Sequence, residues 1–414
     1  MDGWSKARFS DAVVIDPSVS LQRGDEYPFV DMAAVIYGSR SAYASEAREF
    51  KGGGSRFTDG DTLMARITPC LENGKIARYR ANGAPTEAHG STEFIVIRGR
   101  SGVTDNDFAY YLTQWDEVRS YAIGQMTGTS GRQRVPVDSL NHLTIPLPPL
   151  PEQRAIAHVL GSLDDKIELN RRMSETLEAM ARALFRSWFV DFEPVRAKME
   201  GRWRPGESLL GLPAEHFHLF PDTFVPSPLG DIPEGWEVRS LGEVVVIHDN
   251  KRIPLNSRQR AERQGPYPYY GAAGIMDHVD GYLFDDVYVL IGEDGSVVDK
   301  EGYPVVQYVW GQFWVNNHAH VLHAKHGVGL EQLYLFLKQT NVVPFVTGAV
   351  QPKLSQTNLC AIPFLLPTEE VCSAFADTAA RLFQQVRIKA DESRTLAAKR
   401  DELLPQLLAG KVRV

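Results

Sequence analysis

Cysteine is scarce: Cys70, Cys360 and Cys372 are the three in 414 residues, an odd number without CxxC spacing. That excludes a disulfide framework and a zinc ribbon and leaves plain buried thiols as the expectation. No run of about 18 apolar residues exists, and Met1–Lys6 lacks the basic-then-apolar pattern of a secretory leader, so a cytoplasmic chain without membrane contact is expected. The phosphate loop GxxxxGK[ST], the Rossmann glycine fingerprint, HExxH and GxSxG are all missing, and with them the common nucleotide and hydrolase sites. Also missing is the Asn/Asp-Pro-Pro-aromatic element with which amino-methyltransferases hold a target amine. Pro148-Pro149 has neither the polar residue before it nor the aromatic after it. Asn317-His318-Ala319-His320, with His323 and His326, places two histidines on one side of a strand, yet no carboxylate or cysteine stands inside the run, so no metal is expected there. Asp285 and Asp286 lack the nearby lysine of a magnesium-dependent cutting motif. No catalytic residue is therefore nominated. Positive charge is lacking too: the net charge is -8, an unusual balance for a chain that meets phosphate.

What is present is written twice. Gly3-Trp4 and Phe9–Ile15 match Gly235-Trp236 and Leu241–Ile247 at an offset of 232, each a lead-in to a strand. Glu72-Asn73-Gly74 matches Glu293-Asp294-Gly295 as a turn between apolar runs, Phe108–Leu112 matches Leu333–Leu337 as a short helix, and Thr127-Gly128 matches Thr347-Gly348. The drifting offsets place insertions in loops.

The longest match is a pair of helices starting near Glu152 and Glu370. Ile156, Leu160, Leu163, Ile167, Asn170, Ser174, Leu177, Ala181, Leu184 and Trp188 recur at steps of four and three, a heptad seam. Phe375, Ala379, Leu382, Val386, Lys389, Ser393, Leu396, Arg400, Leu403 and Leu407 repeat those steps at an offset of 219. Asn170 with Ser174, and Lys389 with Ser393, put a polar layer in mid-seam, which penalises slipped registers. The alternative is that each helix packs on its own globular part and the heptads mark only that face. From Ile156 to Trp188 a helix spans about 48 Å at about 1.5 Å per residue. Pro148-Pro149-Leu150-Pro151 bounds the first domain, Pro405 should kink or end the second helix a turn short, and the proline-rich stretch 201–234 reads as a linker ordered by contact.

Some loops suit DNA contact. Thr129, Ser130, Arg132, Gln133 and Arg134 join hydroxyls for phosphate to side chains that can bond base edges bidentately, with Thr347, Gln351 and Lys353 as their repeat partners. Lys51-Gly52-Gly53-Gly54-Ser55-Arg56, the pair Arg66 and Lys75, the basic run with Lys251, Arg252 and Arg258, and Tyr269-Tyr270 before a glycine-rich turn complete the candidates. A solvated loop is the bland reading of each.

Pro148-Pro149-Leu150-Pro151-Glu152-Gln153-Arg154, Trp188-Phe189-Val190-Asp191-Phe192, Ile232-Pro233-Glu234-Gly235-Trp236, Tyr269–Ile275 and the tail Leu404–Lys411 resemble the specificity subunit of type I restriction-modification systems, over essentially the whole chain. The resemblance implies an α+β fold: two pseudo-repeated mixed α/β target-recognition domains, 1–150 and 235–367, separated by two long helices forming an antiparallel coiled-coil spacer. The first helix occupies 151–192, the linker 193–234, and the second helix with its tail 368–414. It implies that each domain reads one half of a bipartite, asymmetric site in double-stranded DNA, while the helices set the gap and dock the methyltransferases. It further implies two modification subunits and two restriction subunits as partners. S-adenosylmethionine, ATP and magnesium would then be bound by those partners and no cofactor by this chain, which would not be an enzyme by itself. A rival reading is a protein-protein scaffold with two related domains, for which an acidic balance is unremarkable.

Overall fold

A computed structural model of the chain describes residues 3–83, 85–129, 131–348 and 350–414. Two compact units emerge: residues 1–172 with 390–414, and residues 173–389. The division falls inside both long helices, Leu150–Phe189 and Glu369–Leu408, each of 40 residues.

The repeat is visible strand by strand. In the first unit Ser5–Arg8 pairs with Thr144–Leu147, the turn of helix Phe9–Ala12 follows, and Val13–Ile15 enters a five-stranded sheet. Its order is Val13–Ile15, Phe94–Gly99, Thr62–Ala65, Ile76–Tyr79, Ser41–Ala42. In the second unit Glu237–Ser240 pairs with Pro363–Leu366, Leu241–Val244 is helical, and Val245–Ile247 enters a sheet with Ala319–Ala324, Tyr288–Gly292 and Val306–Val309 in the corresponding order. Each unit adds a four-stranded sheet with one parallel pair, Glu26–Val30 beside Glu87–Gly90 and Gln264–Tyr270 beside Gln312–Val315. The helices Asn106–Gln114 and Leu330–Gln339 bury Phe108 and Leu333 on the sheets that Val13–Ile15 and Val245–Ile247 enter, at the offset of 225 read from the sequence. Asp105 caps the former by accepting from the Asp107 and Phe108 N–H groups, which its short side chain reaches and a longer one would not.

Within the first unit the two helices run antiparallel. Arg400 Nη1 donates to Asp164 Oδ1 at 2.7 Å, Lys166 Nζ meets Glu392 at 3.4 Å, and Asn170 Nδ2 donates to Glu392 at 3.0 Å and to Ser393 Oγ at 3.3 Å. Rising numbers on one helix meet falling numbers on the other. Ile156 and Leu160 share a core with Leu404, Leu407 and Leu408 and also with Phe108, Tyr111 and Trp115, so the seam packs on the globular part as well as on its partner helix. In the second unit Ala181, Phe185, Trp188 and Phe189 surround Phe375, whose ring lies 4.8 Å from that of Phe189. Trp203, Phe220 and Ile232 join that cluster, which is how the stretch after the first helix is held in place.

One expectation is corrected. Pro405 does not stop the second helix, which continues to Leu408. Leu404, Leu407 and Leu408 are buried, and burying them offsets the local cost of about 3 kcal/mol that an interior proline imposes. Asn170 is buried at mid-seam, where the spacing placed a polar layer, and one residue off the seam, beside Leu163, Asp164 is a second buried polar group. Arg400 and the Tyr111 hydroxyl, at 2.7 Å, both donate to it. Burial works against the charge on Arg400, and Asp164 and Asp401 together outweigh it, holding the guanidinium above its ordinary range.

Candidate nucleic-acid interface

One backbone junction occurs in both units and assembles the candidate loops. In the first, the Arg66 N–H donates to the Glu93 carbonyl at 2.9 Å, the Val135 N–H donates to the Arg66 carbonyl at 2.9 Å, and Thr127 and Arg134 exchange N–H···O bonds of 3.0 and 2.9 Å. In the second, Glu293 donates to His318 at 2.8 Å, Leu354 to Glu293 at 2.8 Å, and Thr347 and Lys353 exchange bonds of 2.9 and 2.7 Å. Three segments distant in sequence are thereby fastened by bonds between backbone groups, so the side chains are left to vary. The junction makes Arg66 equivalent to Glu293, Glu93 to His318 and Arg134 to Lys353. It also corrects the turn alignment: Glu72-Asn73-Gly74 and Glu293-Asp294-Gly295 lie in the same strand connection but at different places in it.

Around the first junction, Arg134 is half-exposed and forks onto Glu93, with Nη2–Oε1 at 2.6 Å and Nε–Oε2 at 2.9 Å. That bond holds the Glu93 carboxylate below its ordinary range, against the opposing effect of burial. Thr129 and Arg132 are exposed, Gln133 is half-buried, and Ser130 lies outside the described residues. Arg66 donates Nη2 to the Val135 carbonyl at 2.9 Å and, with Ser55 and Arg56, lines an open cavity of about 490 Å³ that Asp16 and Thr92 also border. Arg56 lies over the Phe50 ring at 4.9 Å, Ser55 Oγ donates to the Phe94 carbonyl at 2.8 Å, and Lys51 is exposed. Lys75 is not part of this surface, because its ammonium donates to the Met32 carbonyl at 2.8 Å and ties a neighbouring loop.

Around the second junction, Gln351 and Thr347 are exposed, and Lys353 Nζ stands 3.3 Å from Glu293 Oε1. Gln351, His318, Asp294, Gly274, Ile275 and Met276 line a cavity of about 470 Å³, which brings the glycine-rich loop to the junction. Ile275 and Met276 are more than half exposed, apolar groups that the sequence reading passed over. Lys251 and Arg258 are exposed, Arg258 pairing with Glu262 one turn on at 2.9 Å, and Tyr270 packs its ring edge against Phe313.

Two second-unit candidates are corrected. Tyr269 is 1% exposed, its hydroxyl accepting from the Leu255 N–H at 2.8 Å, so its ring belongs to the core. Arg252 is held inside by Glu293 at 2.8 Å, Asp249 at 3.3 Å and the Ala319 carbonyl at 2.6 Å. The same cluster revises the histidine argument: Asp249 and Glu293 do approach His320, from segments far away in sequence. Their charge is balanced by Arg252 and Lys353, and the ring nitrogens of His320 face Asp249 Oδ2 at 2.6 Å and the Leu354 carbonyl at 2.8 Å. A carboxylate one or two residues past a strand end, as Asp249 and Glu293 are, is the signal that could have found this cluster, but its partners cannot be chosen without the fold. Burial raises the Cys372 thiol to about 11, and the three cysteines are free.

The family model described as the type I restriction modification DNA specificity domain matches twice, over residues 58–179 and 233–392, together more than half of the chain. The chain belongs to that family. One of its two domain matches falls in each repeat, so the specificity domain is present in duplicate. A type I restriction enzyme specificity subunit of Haemophilus influenzae is 41% identical over 136 residues, a stretch that spans 32% of this chain and 34% of that protein. The type I restriction enzyme HindI specificity subunit of the same organism is 24% identical over 380 residues, covering 78% of this chain and 81% of its own length. A crystal structure of the type I restriction-modification S subunit from M. genitalium shares the fold at a TM-score of 0.53 and 16% identity, covering 98% of this chain and 96% of that one. Family membership makes this a DNA-binding specificity chain with two recognition domains. Among the described residues no helix is long and apolar enough to cross a membrane.

Proposed function

We propose that this chain reads double-stranded DNA for a type I restriction-modification complex, each recognition domain taking one half of a bipartite, asymmetric site. The domains are 1–150 and 235–367. The two long helices form an antiparallel coiled-coil spacer that sets the gap between the half-sites and docks two modification subunits. Restriction subunits complete the assembly, and S-adenosylmethionine, ATP and magnesium serve those partners while this chain contributes recognition without catalysis.

The observation that carries this reading is the duplicated junction. A backbone frame that repeats while its side chains change from Arg66, Glu93 and Arg134 to Glu293, His318 and Lys353 is what two readers of different sequences require. A scaffold with two equivalent partner sites has no need for that divergence. The acidic total is compatible with DNA binding because it is a sum over the whole chain, while in the first unit Arg56 and Arg66 border one cavity and Arg132 and Arg134 stand on the loop fastened to Arg66.

The spacer role is tested by removing one heptad from each helix. Seven residues are about 10 Å of helix, or about three base pairs. The selected site should lose about three base pairs from its gap and keep the bases of both half-sites, and an unchanged gap refutes the ruler.

A further inference from the structure

Arg134 is fixed before any ligand arrives. Its backbone N–H and carbonyl are both bonded to Thr127, and Glu93, which receives its fork, has its own carbonyl bonded to Arg66 and its N–H bonded to Ser91 Oγ at 3.2 Å. The carboxylate takes Nε–H and one N–H of Nη2, and Nη1 donates one of its two N–H groups to the Arg132 carbonyl at 3.5 Å. A guanidinium has five N–H groups, so the edge formed by Nη1 and the second N–H of Nη2 still offers two parallel donors. The Arg134 side chain is 44% exposed and Glu93 23%, so the pair stands at the surface.

We propose that Arg134, oriented by Glu93, reads a guanine in the half-site taken by the first unit. This rests on the function proposed above. Two parallel donors match the O6 and N7 acceptors of guanine in the major groove. Adenine sets a donor beside N7, cytosine presents a donor, and thymine offers one acceptor next to a methyl group. Holding the fork in place beforehand spares the ordering of a long side chain on binding, and Glu93 is a positioning residue in this scheme.

The repeat supports a role at the surface over one in packing. Lys353, at the position of Arg134, is also about half exposed and also meets a carboxylate, but that carboxylate is Glu293, supplied from the position of Arg66. Both units keep a steered cation at the same node by different means. An ammonium is a point donor without a planar fork, so the second half-site is not tied to guanine in the same way.

The test selects sites from randomised duplexes with the full chain in complex with its methyltransferase partner, for wild type, Arg134→Ala, Arg134→Lys and Glu93→Gln. The expected wild-type site has an invariant guanine in one half. Arg134→Ala should cut the preference for it about tenfold to a hundredfold, leaving the other half-site and the salt dependence as they were. Arg134→Lys should fall between, and Glu93→Gln should weaken the guanine preference without lowering affinity for unselected DNA. A first half-site without guanine overturns the inference. So does an Arg134→Ala complex that binds all sequences more weakly and loses about one unit of log-log salt slope, the behaviour of a phosphate contact. A wild-type complex that enriches no split site overturns the proposed function itself, and the two failures are thus distinguishable.

Discussion

Changing Arg400 to methionine deletes one half of a buried ion pair and leaves the other half in place. Asp164 is 3% exposed and Arg400 15%, and stripping the partner from such a pair costs about 3–5 kcal/mol. Two features soften the loss here. The Tyr111 hydroxyl still donates to Asp164 Oδ2 at 2.7 Å, and both residues line a cavity of about 280 Å³ through which water can reach the carboxylate. The expected cost is therefore about 2–3 kcal/mol, at or just below the bottom of that range. Adding Asp164→Asn removes the stranded charge, so the double variant should recover to within about 1 kcal/mol of wild type, as buried pairs replaced on both sides commonly do. Because the chain has two units, a single unfolding midpoint is a poor gauge. Native-state hydrogen exchange at amides of residues 150–172 and 390–408 reports the local opening free energy directly. Protection unchanged within about 0.5 kcal/mol in Arg400→Met, or a double variant as unstable as the single, refutes the reasoning.

Three further outcomes are expected. Asn170→Leu should raise the exchange protection of amides in 150–172 and 390–408 by replacing a polar group in an apolar seam, while widening the set of accessible helix registers seen by crosslinking; lowered protection contradicts this. Tyr269→Phe strands the Leu255 N–H and should cost about 1–2 kcal/mol by denaturant titration without altering the selected DNA sequence, and a changed sequence would return that ring to the interface. The Glu93 carboxylate, held below 4.5 first by its bond to Arg134, stabilises the fold fully above that value and ceases to as pH falls through its depressed one. Its NMR titration midpoint should lie below 4.5 and rise in Arg134→Ala; a midpoint at or above 4.5 in the wild type refutes the buttress.

The duplicated architecture was legible because it rests on local patterns. The run Phe9–Ile15 and its partner Leu241–Ile247 both fold as a helical turn and then a strand, and Phe108 and Leu333 both bury on the sheet at the offset their apolar spacing indicated. Asn170 and Ser393 also meet, as a mid-seam polar layer requires. The rest depends on partners that spacing cannot pair. Arg400 stood on the seam where the other helix has Ala181, and an arginine at a buried position implies an opposite charge, yet Asp164 lay one residue off the seam. Glu93 and Arg134 are 41 residues apart and meet only because the junction brings their segments together. Arg252 and Tyr269 looked like surface residues in a basic or aromatic run and were claimed by the core, where Glu293 and the Leu255 backbone needed them. Residue type indicated the chemistry of the loops, and tertiary contacts decided which side chains remained available to a ligand.

The most direct measurement is selection of binding sites from a randomised duplex library by this chain co-purified with its methyltransferase partner. The account predicts enrichment of a split site with two unlike halves at a fixed gap. Co-purification without any enriched sequence would contradict it and favour a scaffold.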